Sequence, residues 1–128
     1  MTKEEMNDFL ESIGGLENGF YSDRPSIKHC EVFDVDSGWY PIIKDLIEDL
    51  IKLGWDKQIC QVKEKFGGFR FYINTGSDEI FKRIHLAENQ SYEICETCGE
   101  KGDMRTDLGW YSTLCNKHYE ERKSNIQR

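Results

Sequence analysis

Apolar side chains recur at helical spacing in three stretches of this chain and at alternate positions in a fourth. Met6, Phe9, Leu10 and Ile13 share one face of a helix over 2–13, with Thr2 as its cap and Gly14-Gly15 as its stop. In the run WYPIIKDLIEDLIKLG, residues 39–54, Ile43, Leu46, Ile47, Leu50 and Ile51 form a wide apolar stripe. Lys44, Asp45, Glu48, Asp49 and Lys52 face water. Ser37 or Gly38 begins this helix, Pro41 suits its first turn, and Gly54 ends it. A third helix covers 77–90. Ser77 caps it, Asp78 and Glu79 suit the positive end of its dipole, and Ile80, Ile84 and Ala87 line one face beside Phe81. His85 lies off that face and reads as partly exposed.

The alternating stretch is QICQVKEKFGGFRFYINTG, a hairpin. Gly67-Gly68 suit a two-residue turn, which pairs Phe66 with Phe69, Lys65 with Arg70, Glu64 with Phe71, Lys63 with Tyr72 and Val62 with Ile73. One face then holds Cys60, Val62, Phe66, Phe69, Phe71 and Ile73, with Glu64 as the odd member. The other holds Gln61, Lys63, Lys65, Arg70 and Tyr72. That second face is either a solvated sheet surface or an anion-binding one. In the latter case Lys63, Lys65 and Arg70 meet phosphate or carboxylate, and Tyr72 stacks on a base or packs on a partner. Glu64 is either a salt-bridged carboxylate or, in a weaker reading, the general base of a zinc-stabilised hydrolase. Residues 16–37 show little periodicity and read as irregular, with a short strand at Cys30–Val35.

Chemistry concentrates near the C-terminus. Cys95 and Cys98 form a C-x2-C pair, sixteen residues follow, and Cys115 and His118 form C-x2-H. Zn²⁺ takes four such ligands at tetrahedral corners, and four protein ligands leave no open position for water, so the spacing implies one structural Zn²⁺. Gly99 lets the chain turn behind the second thiolate. The ligand order resembles a treble-clef finger: a knuckle, a short hairpin, then a helix that Thr113 is placed to cap. Cys30 and Cys60 are left over and read as small buried hydrophobes.

Composition narrows the function. At 128 residues, 38% hydrophobic and 12% aromatic, the chain suits one cooperative unit. Its expected parts are an α+β core over 1–94, with an acidic N-terminal segment, and a zinc-finger subdomain over 95–128. No apolar run approaches a membrane span, and MTKEEMNDF does not read as a secretory signal, so the expectation is a cytoplasmic protein. The net charge is −7, and residues 1–56 alone carry 13 acidic against 5 basic side chains. Such a surface repels phosphate backbones. It is either simply a well-solvated surface or one that faces a basic protein partner, with Asp23, Glu31, Asp34 and Asp36 as candidate contacts. There is no phosphate-binding glycine loop, no nucleophile elbow, no H-E-x-x-H and no deaminase signature.

The combination GWYPIIKDLI, QVKEKFGGFRFY, CETCG and GWYSTLCNKH resembles a family of small phage, prophage and bacterial proteins. Members share a KEKFGG-[LF]-RFY hairpin motif and a C-terminal zinc knuckle. The likeness spans roughly 38–120. It implies an intracellular, often phage-encoded protein, acting in the host cytoplasm. It suggests that the hairpin and Trp110 belong to a shared scaffold, and it carries over no catalytic residue. The expected fold is α+β, with helices packed on a small antiparallel sheet and finished by a treble-clef-like zinc finger. The expected function is non-enzymatic: an inhibitor or adaptor acting on a host defence protein, its acidic residues occupying a site meant for nucleic acid. A nucleotide or nucleic-acid binder using the basic hairpin face is the alternative.

Overall fold

The structure is a computed structural model that describes residues 1–19 and 26–126. Helix α1 (Lys3–Ser12) starts at a full capping box: Thr2 Oγ1 accepts the Glu5 N–H, and Glu5 Oε1 accepts the Thr2 N–H. Met6, Phe9 and Leu10 are buried, as their spacing demands. Helix α2 (Tyr40–Lys52) begins two to three residues later than expected. A 3-10 turn at Ser37–Trp39 precedes it, and Gly54 (φ 88°) follows its end. Helix α3 (Asp78–Ser91) is capped by Ser77, whose Oγ accepts the Ile80 N–H at 3.3 Å.

The sheet corrects the expectation of a purely antiparallel one. Strands β1 (Glu17–Asn18), β2 (Phe33–Asp34), β3 (Gln58–Lys65) and β4 (Gly68–Ile73) form one sheet. β1 and β2 both join β3 in parallel, while β4 pairs with it antiparallel. A strand has two edges, and β4 takes one, so β1 and β2 share the other end to end. β2, α2 and β3 therefore make a parallel strand–helix–strand unit, and the architecture is α/β with helices on one face. The strand expected at Cys30–Val35 is confined to Phe33–Asp34, because Cys30–Val32 coils into a 3-10 turn.

The hairpin turn also sits one residue earlier than expected. Phe66 (φ 54°) and Gly67 (φ 87°) occupy its two central positions, and Lys65 pairs with Gly68, Glu64 with Phe69, Lys63 with Arg70 and Val62 with Phe71. Gly68 is needed for a different reason: a Cβ there would stand 2.6 Å from the Tyr92 ring. Moving the turn by one residue shifts the pairing by two, so both faces keep their members. The exceptions are Phe66, which leaves the core face for the turn and is exposed, and Cys60. A bulge between Ile59 and Gln61 gives the core position to Ile59 and leaves Cys60 half-buried.

One core joins the inner face of the sheet to α1, α2 and α3. Trp39 packs on Phe69 and Trp55 on Phe71, with centroids 5.9 Å apart in each pair. α3 also covers the free edge of β4. Ser91 Oγ accepts the Phe69 N–H and Glu88 Oε2 accepts the Phe71 N–H, both at 3.0 Å, so the edge offers no open ladder to another chain. No helix among the described residues is long and apolar enough to cross a membrane.

Candidate metal centre and an acidic aromatic cleft

After α3 the chain makes a knuckle, a hairpin of β5 (Asp103–Arg105) and β6 (Ser112–Leu114), and helix α4 (Asn116–Ile126). Cys95 and Cys98 come from the knuckle, where Gly99 (φ 82°) returns its N–H to the Cys95 carbonyl at 2.9 Å. Cys115 closes β6, and His118 lies on the first turn of α4. The four ligand atoms lie within 4.8 Å of one another. Cys98 Sγ is 3.8 Å from Cys115 Sγ, and His118 Nδ1 is 3.2 Å from Cys115 Sγ and 3.6 Å from Cys95 Sγ. Ligands about 2.3 Å from a common centre at tetrahedral corners stand roughly 3.5–3.8 Å apart, so this cluster can hold a metal ion such as zinc.

Electrostatics agrees with geometry. Burial alone would raise the Cys95 thiol, but N–H groups of Cys115, Cys98 and Thr97 outweigh it and bring it down to about 7. Partial desolvation and the neighbouring Cys95 and Cys115 thiols push Cys98 up to about 11. Thiols this close resist ionising together unless a cation sits among them. With Nδ1 facing the sulfurs, His118 turns Nε2 toward Glu121, 4.0 Å from Oε2, on the side where an outer carboxylate orients a ligating imidazole.

Thr113 does not cap α4. It is fully buried in β6 and donates from Oγ1 to the Gly67 carbonyl at 2.6 Å, tying the hairpin tip to the finger. Other ties run through the knuckle: the Gly38 N–H donates to the Glu96 carbonyl at 2.9 Å, and Trp39 Nε1 donates to the Ile94 carbonyl at 2.9 Å. Arg122 of α4 pairs with Glu96 at 2.6 Å, donates to Thr97 Oγ1 at 3.0 Å, and reaches Asp36 at 3.6 Å. Burial raises the Glu96 carboxyl, and the Arg122 guanidinium opposes that rise. The finger's own apolar core is small: among the described residues its buried hydrophobic members are Cys95, Leu108 and Leu114.

These ties leave a cleft between the hairpin tip, the β2 end and the loop ahead of β6. Asp34, Asp36, Glu64, Glu96, Trp110 and Arg122 line it, four carboxylates against one guanidinium. An adjoining groove is walled by Glu64, Phe66, Trp110 and Tyr111. Phe66, Trp110 and Tyr111 are 62%, 51% and 50% exposed. Glu64 is explained by its place: Oε1 accepts the Gly67 N–H at 2.8 Å, which fastens the turn. Asp34 and Asp36 thus line this cleft, whereas Glu31, exposed on the 3-10 turn before β2, does not and lines a neighbouring groove with Asp36. Asp23 falls outside the described residues.

Lys63, Lys65, Arg70 and Tyr72 lie on the outer face of the sheet, opposite the helices. Lys63 stands directly across from Arg70, and its Nζ is 5.8 Å from the Tyr72 ring centroid. Arg70 is partly spent on structure, since Nη2 donates to the Tyr92 hydroxyl at 2.8 Å. Sequence reasoning put Phe66 on the core face of the hairpin, where the structure does not place it, and left Glu96 and Tyr111 unassigned. The adjacent aromatics of the LGWYS loop and a Phe wedged among charged residues were the only signals available.

Phe66 carries a further clue. A Phe at φ 54° is disfavoured, and this one gains little burial in return. Phe66→Asn, which accepts this backbone more readily, should raise stability by about 0.5–1 kcal/mol in urea unfolding. An unchanged or lower stability would show that the ring contributes to the fold.

No protein-family description, curated protein or solved structure matches this chain.

Proposed function

We propose that this protein is a non-enzymatic binding module. Its working surface is the acidic, aromatic cleft, and its partner is a protein bearing a basic segment. The carrying observation is the pairing of three exposed aromatic rings with Asp34, Asp36, Glu64 and Glu96 on one continuous surface. Clustered exposed aromatics mark interaction sites more than solvated surface. The surplus of carboxylates selects a positive partner. The likeness to phage and prophage proteins favours a host protein, with this chain as an inhibitor or adaptor held together by a treble-clef-like finger around one structural Zn²⁺. A four-ligand site supplies rigidity and no open coordination position for chemistry.

The test is capture from a bacterial host lysate. The Asp34→Lys/Asp36→Lys variant should lose a partner that the unmodified chain retains, while Lys63→Glu/Arg70→Glu keeps it. The opposite pattern would overturn this reading.

That opposite pattern is what a second reading expects. Like charges directly opposed on a sheet, as Lys63 and Arg70 are, destabilise it unless an anion lies between them. A nucleotide or nucleic acid on the outer face would then lose affinity steeply with added salt, and Lys63→Glu/Arg70→Glu would abolish binding. The register works against this reading, since Asp34 of β2 stands beside Lys63 in the same row.

A further inference from the structure

Resting on that reading of the molecule as a protein-binding module, we infer that the groove walled by Phe66, Trp110 and Tyr111 receives an arginine side chain of the partner. The groove is about 550 Å³, a size common to sites that enclose a small group. Three aromatic rings line it, and the faces of such rings carry negative potential and attract cations. The chain shows this attraction itself, for Lys65 Nζ lies 5.6 Å from the Phe66 ring centroid. Among the described residues, no cation of the chain stands over Trp110 or Tyr111.

Charge at the groove points the same way. Glu64 holds the Gly67 N–H with Oε1, and Oε2 accepts no hydrogen bond from any described residue. No ion pair engages Glu64 or Asp34 among the described residues. Of the nearby cations, Lys65 lies over the Phe66 ring, and Arg122 is already taken by Glu96 and Asp36. A ligand suited to these walls and this carboxylate is flat, apolar on its faces and positive at its edge. A guanidinium meets each condition: it is weakly hydrated, stacks on aromatic rings and forks onto carboxylates. An ammonium is compact and strongly hydrated, so lysine fits less well. An anion is repelled.

The probe is a blocked Gly-Arg-Gly-Arg-Gly peptide titrated into the full metal-loaded chain. Trp110 is the exposed tryptophan, while Trp39 and Trp55 are buried, so emission changes report on the groove. Calorimetry supplies the affinity. The arginine peptide should bind saturably. Replacing its arginines with citrulline, equal in shape and uncharged, should weaken binding about tenfold or more, and lysine should fall between. Trp110→Ala should weaken the arginine peptide by a similar factor in calorimetry. Equal binding of arginine and citrulline peptides overturns the inference, and this comparison needs no variant to fold. So does unchanged affinity in Trp110→Ala, or no saturable binding of the arginine peptide. If the peptide fails while Asp34→Lys/Asp36→Lys still abolishes partner capture, the arginine site falls and the binding-module reading stands.

Discussion

Cys98→Ser, or removal of metal by a strong chelator, should unfold the last third of the chain. Protein purified without chelator should carry one zinc per chain, and the variant should carry none. Among the described residues the finger has three buried hydrophobic residues for a core, far too few to fix a knuckle, a two-stranded hairpin and an 11-residue helix. A metal ion held by the Cys95, Cys98, Cys115 and His118 cluster would supply what packing does not. In isolated fingers that contribution is on the order of 10 kcal/mol. Here the finger also rests on a preformed core, so a loss of roughly 5 kcal/mol or more is expected, a large part of a small domain's stability. Acid should act in the same direction, because the thiols must be deprotonated to bind metal. Elemental analysis finding no zinc, or a Cys98→Ser melt that matches the parent, would contradict this account.

Gly38→Ala should be strongly damaging although it adds a single methyl group. Its Cβ would stand 2.5 Å from the Glu96 carbonyl oxygen and closer still to the Cys95 oxygen. Both are backbone atoms of the knuckle and have no rotamer to yield. The Gly38 N–H also donates to Glu96, and the next residue, Trp39, anchors the core through Ile94. One added methyl therefore pushes the knuckle away from the core at this junction. The expected cost is about 3 kcal/mol, the upper part of the range for overpacking. Looser zinc retention should accompany it, because Cys95 is displaced. A melting temperature within a degree of the parent would show that this junction is soft.

The metal cluster was legible because its signal is local. Two short spacers place four ligands, and a hairpin with a helix turn can close them with little help from the rest of the chain. The three helices were legible for a similar reason: each carries its own apolar stripe, and caps such as Thr2 and Ser77 act within a few residues. The faces of the main hairpin also survived an error in its turn, because the period of a strand is two.

What the sequence hid depends on distant partners. β1 and β2 are two residues long, too short to show alternation, and they exist only because β3 offers an edge. Gly-Gly looked like the turn, but Tyr92 claims the space beside Gly68, and Phe66 takes the strained position instead. Thr113 looked like a cap, but the Gly67 carbonyl, 46 residues away, needs its hydroxyl. Local composition thus determined the helices, the metal ligands and the acidic bias. Tertiary structure decided that Asp34, Glu64 and Trp110 share one cleft and that Phe66 lines the groove beside it, because only the docking of finger on hairpin brings together side chains that have no periodic relation along the chain.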